Sequence, residues 1–267
     1  MAGPTTRERG TRTPSGPATP RAPRPGRRGG FPRIPVGRPV VLLLALAVLL
    51  AGGGVWALYG SPWLRVEKVR ATGTRVLTPE AVLAAADVPT GVPMISVDSG
   101  AIEDRLRKEL PRIDTIDVVR SWPHGIGLKV TERKPVLLIG KGADFVEVDR
   151  RGVRFATVRK APVGVPRLEM AAQRSPSLRR FGEQRLLDAA VRVTGELDPA
   201  VARNLTTVKV TSFDSITLEL TRDRSVFWGS GEDNAGKSRA LLALMKAVPD
   251  AGHFDVSAPS APAARAS

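Results

Sequence analysis

The chain has 267 residues, of which 42% are apolar and 4% aromatic, with no cysteine, two histidines and a net charge of +15. Without cysteine there is no disulfide scaffold, no thiol nucleophile and no thiolate-held metal; with only His124 and His253, a multi-histidine centre is disfavoured. The scarcity of aromatic residues argues against a stacking platform for single-stranded nucleic acid.

The charge is uneven. Residues 1–38 hold nine arginines and one acid, Glu8, among eight prolines and seven glycines. No apolar periodicity survives there, so the segment reads as a disordered basic tail. No charged residue occurs between Arg38 and Arg65, and residues 39–59 are almost wholly apolar. About 20 such residues in a helix cross a hydrocarbon layer ~30 Å thick. Trp56, Tyr59 and Trp63 cluster at the far end, where amphipathic rings favour the membrane interface. The stretch exceeds a usual signal-peptide core and no A-x-A cleavage site follows, so an uncleaved anchor is expected. By the positive-inside rule, residues 1–38 are cytoplasmic and residues 64–267 lie outside, in type II topology. The arginines then serve topology and contact with anionic lipid rather than nucleic acid.

The first exported unit runs over residues 64–134. A strand is expected over 65–72, anchored by Val66 and Val69, with a turn at Gly73. Thr78-Pro79-Glu80 combines an N-cap, proline at the first helical position and an acid in the first turn, so a helix runs over 79–86. Asp98-Ser99 opens a second helix with Ile102, Leu106 and Leu110 on one face, stopped by Pro111. Strands over 113–120 and 125–132 flank the turn Trp122-Pro123-His124-Gly125; Ile126, Leu128 and Val130 alternate. The order is β-α-α-β-β, with two helices covering one face of a three-stranded sheet.

The second unit, residues 135–258, is mainly β. Strands over 145–149 and 152–157 enclose Asp149-Arg150-Arg151-Gly152, a hairpin signal with glycine at the positive-φ position. A helix over 182–196 precedes three meandering strands over 206–211, 215–221 and 225–228. A C-terminal helix over 234–248 carries Leu241, Leu244, Met245 and Val248, and a closing strand covers 253–257. Residues 259–267 read as a disordered tail. The fold class is therefore α+β: one transmembrane helix, a β-α-α-β-β domain, and a mainly β domain ending in a helix and a strand.

One catalytic pattern stands out. Gly231-Glu232-Asp233-Asn234-Ala235-Gly236-Lys237-Ser238 matches the phosphate-binding G-x-x-x-x-G-K-[ST] loop. Only 29 residues follow it, too few to complete a nucleotide-binding sheet, and the expected topology puts it outside the membrane. It reads as a polar loop capped by Asp233 or Asn234. G-x-S-x-G and S-x-x-K are absent, and His124 reads as a structural turn residue. No enzyme activity, cofactor, metal site, nucleic acid or small-molecule substrate is expected.

The layout resembles the FtsQ/DivIB cell-division family. The resemblance rests on Val66-x-x-Val69-x-Ala71-x-Gly73, Pro111-x-Ile113, Val118-x-Arg120-x-Trp122-Pro123 and Val130-x-Glu132-Arg133-x-Pro135 in the first unit. In the second it rests on Val148-Asp149-x-x-Gly152-Val153, Phe227 and Gly229, Lys237, and Phe254-Asp255-Val256-Ser257. Trp228 departs from the family's Phe-Gly. The resemblance implies that the first unit is a POTRA domain. It also implies a non-enzymatic septal scaffold that binds FtsB/DivIC-type and FtsL-type bitopic partners and so regulates the septal peptidoglycan synthase. By carry-over of the closing motif, the partner-binding edge strand comprises His253, Phe254, Asp255, Val256, Ser257 and Ala258. The competing reading is a POTRA-type chaperone or transport component of the envelope; that class usually carries several POTRA repeats or a membrane barrel, and neither is apparent here. A wall hydrolase would need a nucleophile frame that the sequence lacks.

Overall fold

The computed structural model describes residues 37–170 and 182–266; residues 1–36 of the basic tail lie outside it. Helix α1 (Arg38–Gly60) is long and apolar enough to cross a membrane by length and composition, and none of its residues is buried by protein. It exceeds the expected span by one residue at each end. In water its Val and Leu side chains would be unshielded; lipid removes that cost.

Beyond α1, a short 3₁₀ turn (Pro62–Leu64) leads to strand β1 (Lys68–Thr72), helix α2 (Pro79–Ala86) and helix α3 (Ser99–Glu109). Strands β2 (Ile113–Ser121) and β3 (Gly125–Glu132) follow. Thr78 Oγ1 accepts from Ala81 N–H and Asp98 Oδ1 from Ala101 N–H, so both helices start at the caps expected from sequence. The sheet order is β1-β3-β2, with β1 parallel and β2 antiparallel to β3. Val82 and Ala86 from α2, and Ile102 and Leu106 from α3, pack with Ile116, Ile126, Leu128 and Val130 in one core. Burying a side chain of this size contributes about 1.5–3 kcal/mol.

The first strand begins three residues later than expected. Val66 is buried, but in an irregular lead-in: its N–H donates to Val92 O, and its own carbonyl accepts from Gly91 N–H. Val66 and Val69 are three apart, a spacing that no single strand puts on one face. Their separate settings resolve that conflict.

Among the described residues, the second region holds nine strands in one sheet. They are β4 (Leu137–Lys141), β5 (Asp144–Val148), β6 (Arg154–Val158), β7 (Arg167–Met170), β8 (Leu205–Ser212), β9 (Ser215–Leu220), β10 (Arg224–Gly229), β11 (His253–Asp255) and β12 (Ala263–Arg265). Their order is β12-β11-β10-β9-β8-β7-β4-β5-β6. Helices α4 (Glu183–Glu196) and α6 (Asn234–Ala247) pack with the buried side chains of the sheet, and the one-turn α5 (Pro199–Ala202) links α4 to β8. Trp228, Leu186, Leu187, Ile216 and Leu218 lie at the centre of this core.

Three strands here were not expected, and their reasons differ. Leu137 and Leu138 of β4 are consecutive and both buried, so no alternation marks the strand. β7 has four residues and one buried side chain, Leu168. β12 falls within the stretch whose sequence reads as a disordered tail: Ala263–Arg265 pairs antiparallel with β11. Its composition is unremarkable because all three side chains are exposed, and only backbone pairing places it.

The stripe expected on the last helix is also corrected. Its buried residues are Asn234, Lys237, Ser238 and Leu241; Leu244 and Met245 are partly buried, and Val248 caps the helix, exposed. Polar side chains occupy much of the inward face, so an apolar count misplaces it toward the C-terminus.

Candidate functional site

The closing motif lies at one end of the nine-stranded sheet. β11 pairs parallel with β10, Val226 opposite Phe254, and antiparallel with β12, Phe254 opposite Ala264. The expected edge strand is therefore not an edge: β12 covers it, and β12 is the last strand of the sheet among the described residues. Strand β11 also ends at Asp255, two residues short of expectation.

The six candidate residues divide by burial. Phe254 and Val256 are core, whereas His253, Asp255, Ser257 and Ala258 are exposed. The period-2 alternation of an extended segment produces this split. Asp255 Oδ1 accepts from the Ser257 N–H (2.9 Å) and the Ser257 hydroxyl (2.7 Å), which fixes the exit from β11. On the solvent face, Thr217, Ser225, Phe227, His253, Asp255, Ala263 and Arg265 border a shallow depression of about 330 Å³. Phe227 is 39% exposed, a large apolar ring only partly covered on that face.

Ser225 Oγ lies 2.6 Å from His253 Nδ1. A nucleophilic triad would place a carboxylate on the other imidazole nitrogen. Asp255, the nearest acid along the strand, is instead engaged by Ser257. The pair is a cross-strand contact between register partners. His124 sits in the β2–β3 turn, where its carbonyl accepts from the Glu67 and Lys68 N–H groups.

The Gly-Lys-Ser loop is engaged by the protein itself. Lys237 is 2% exposed, and its Nζ donates to the Ser230 carbonyl at 2.9 Å. Burial holds its pKa below the ordinary 10.5, against the upward pull of Glu232 and Asp233. Ser238 Oγ accepts from the Asp198 N–H, and Asp233 Oδ1 accepts from the Gly236 N–H at the start of α6. A carboxylate thus occupies the helix N-terminus that a phosphate-binding loop would leave for its anion. Asn234 Oδ1 accepts from Trp228 Nε1 at 2.8 Å inside the core. The loop locks α6 onto β10. Among the described residues, no group of three His, Cys, Asp or Glu side chains is placed to hold a metal.

A second cluster escaped the sequence reading. Arg112, which precedes β2, pairs with Glu147 of β5 at 2.6 Å, and its guanidinium lies over Phe155. Arg133 bridges Asp149 (2.5 Å) and Asp114 (3.4 Å). Glu147 and Asp149 are buried. Burial pushes the Asp149 carboxyl upward, but hydrogen bonds from Val153 N–H, the Arg133 guanidinium and Arg151 N–H outweigh it. Its pKa lies below the ordinary 3.8. In the sequence Asp149 reads as the first residue of a hairpin turn, and residues 145–149 as an acidic strand leading into it. Alternating acids in a strand otherwise rich in apolar residues, Glu147 and Asp149, were the available signal.

Comparison with known proteins identifies the first exported domain and the family. A model of the POTRA domain, FtsQ-type, matches residues 64–133. The cell division protein FtsQ of Streptomyces venezuelae is 58% identical over 270 residues, covering 100% of this chain and 99% of that one. FtsQ of Streptomyces collinus is 61% identical over 271 residues and covers 100% of both chains. The solved extracytoplasmic domain of the cell division protein DivIB from Geobacillus stearothermophilus aligns at 14% identity with a TM-score of 0.33, covering 45% of this chain and 96% of that one. On full-length identity to these relatives, the chain belongs to the FtsQ family of cell division proteins.

Proposed function

We propose that this chain is a membrane-anchored, non-enzymatic scaffold of the division septum. It binds FtsB/DivIC-type and FtsL-type bitopic proteins outside the membrane, and through them helps regulate septal peptidoglycan synthesis. Eight arginines before α1 and Arg38 at its start support a cytoplasmic N-terminus and an extracytoplasmic remainder.

The observation that carries this reading is the state of the sheet end. β12 has three residues, buries no side chain and, among the described residues, pairs only with β11. Such a strand is held by few backbone hydrogen bonds, each of modest net worth at about 0.5–1.5 kcal/mol. A partner segment in extended form replaces β12 beside β11, gaining backbone pairing and adding side-chain contacts with Phe227 and Ser225. His253 and Asp255 supply polar selectivity on the same face.

The test is binding of the full chain in nanodiscs to the extracytoplasmic segment of an FtsB/DivIC-type protein. Deleting residues 259–267 strengthens binding, because β12 no longer competes. Phe227→Glu weakens it while leaving the fold intact by circular dichroism, since Phe227 is exposed. Absence of binding by the intact chain defeats the scaffold reading. Binding unaffected by either change moves the interface elsewhere.

A further inference from the structure

The end of the POTRA sheet nearest α1 in sequence carries apolar side chains that its own fold does not cover. β1 begins at Lys68, β3 begins at Gly125 and β2 ends at Ser121; register pairs these three positions, so they share one end. Trp122 projects from the turn there and is 50% exposed. The loop before α3 is tied to the same end. Arg65 bridges Pro93, and Arg120 donates to the Met94 and Val97 carbonyls at 3.1 and 2.7 Å. That loop exposes Ile95, and Trp63, just upstream, is 69% exposed. Lys68 and Arg70 are exposed beside them, with Glu67 the neighbouring acid.

The chain itself says what faces this end. Helix α1 stops at Gly60, and the Glu67 N–H, seven residues later, donates to the His124 carbonyl at 3.0 Å. Seven residues span at most about 24 Å, and the 3₁₀ turn at Pro62–Leu64 shortens that reach. If α1 spans the bilayer, the Trp122 turn is held within a short tether of the outer headgroup layer. Tryptophan is the side chain that gains most from that layer, having a broad apolar body and one N–H donor.

We infer that Trp122, with Trp63 and Ile95, forms a second, non-spanning contact with the phospholipid surface that fixes the tilt of the POTRA domain on the membrane. The inference rests on α1 being a membrane span. With the POTRA domain free to swing, the nine-stranded sheet joined to it through Arg112 and Arg133 would offer its edge β12 to partners at many heights. A seated domain holds that edge at a set height, which suits partners that are themselves anchored in the same bilayer.

The chain has no native cysteine, so one spin label reports one position. The full chain is placed in phospholipid nanodiscs with a label at Ser121→Cys, at Leu49→Cys within α1, or at Lys141→Cys in the β4–β5 hairpin. Accessibility to oxygen and to a water-soluble nickel chelate then reads depth. The expected result is a deep label at 49 and a label at 121 shielded several-fold from nickel relative to 141. Trp63→Ala with Trp122→Ala returns position 121 to the nickel accessibility of 141; both side chains are exposed, so the domain still folds. A label at 121 as accessible as that at 141, with 49 still deep, overturns the lipid contact and leaves the anchor standing. A label at 49 in water overturns both. Dipolar broadening between labels at 121 assigns the turn to a second copy of the chain and overturns the lipid contact.

Discussion

The POTRA domain and the mainly β region solve the same problem, helices packed on a sheet, by different wiring. In the POTRA domain β2–β3 is a hairpin with one register shift near Ile113, and a single parallel pairing, β1 with β3, crosses over both helices. In the β region the sheet is assembled across parallel junctions, β4 with β7, β7 with β8, and β10 with β11, joining segments far apart in the chain. Parallel neighbours need long crossovers, so their pairing leaves no local signature. The two cores are separate sets of side chains, and buried ion pairs stitch the boundary between them.

The sharpest test of that separation is a large cavity in one core. Trp228 is fully buried and its Nε1 bonds Asn234, so Trp228→Ala costs about 3–5 kcal/mol. Hydrogen exchange on the full chain is expected to rise throughout β8–β11 while β2 and β3 keep their protection. Equal loss in both regions would mean that the boundary welds them into one cooperative unit.

Next in size is the boundary itself. Glu147→Ala leaves Arg112 without its carboxylate in a mostly buried setting, a loss of about 3 kcal/mol. Exchange is expected to rise on both sides, in β2 and in β5. A rise confined to one side would mean that the pair serves only that region.

Glycines give a smaller, graded comparison. Gly73 in the POTRA domain has φ +87, and a Cβ there would lie 2.1 Å from the Val130 carbonyl oxygen. Gly164 in the β region has φ +77 but open space around it. Gly164→Ala should cost about 1 kcal/mol from backbone strain alone. Gly73→Ala should cost clearly more in urea unfolding, because the backbone of β3 must move. Similar losses would show that the Gly73 turn yields easily.

The smallest effect is a pH dependence. Asp149 has a folded pKa below its unfolded 3.8. Its contribution is therefore complete above the unfolded value and is lost as the pH falls through the folded one. Asp149→Asn is expected to flatten the acid limb of the stability curve below that range. An unchanged acid limb would exclude Asp149 as a source of acid sensitivity.

What the sequence reading recovered follows from how local each signal is. Thr78-Pro79-Glu80 and Asp98-Ser99 mark helix starts because a cap acts over three residues. Ile126, Leu128 and Val130 mark a strand because one face of β3 is covered and the other is not. The candidate site was legible only as a motif: its residues were named, but their covering by β12 was not. Nothing in Ala263-Ala264-Arg265 distinguishes a paired strand from a tail, since no side chain there is buried.

The sequence by itself determined the long apolar helix, the β-α-α-β-β order and the hairpin at Gly152. Each depends on hydropathy, caps or turn geometry within a few residues. Only the tertiary structure decided three things. It turned the Gly-Lys-Ser loop into a helix lock, because the Lys237 ammonium found the Ser230 carbonyl and burial closed over both. It joined the two domains through Arg112 and Arg133, because charges distant in sequence were buried together. It moved the sheet edge from β11 to β12, because backbone pairing is indifferent to side-chain composition.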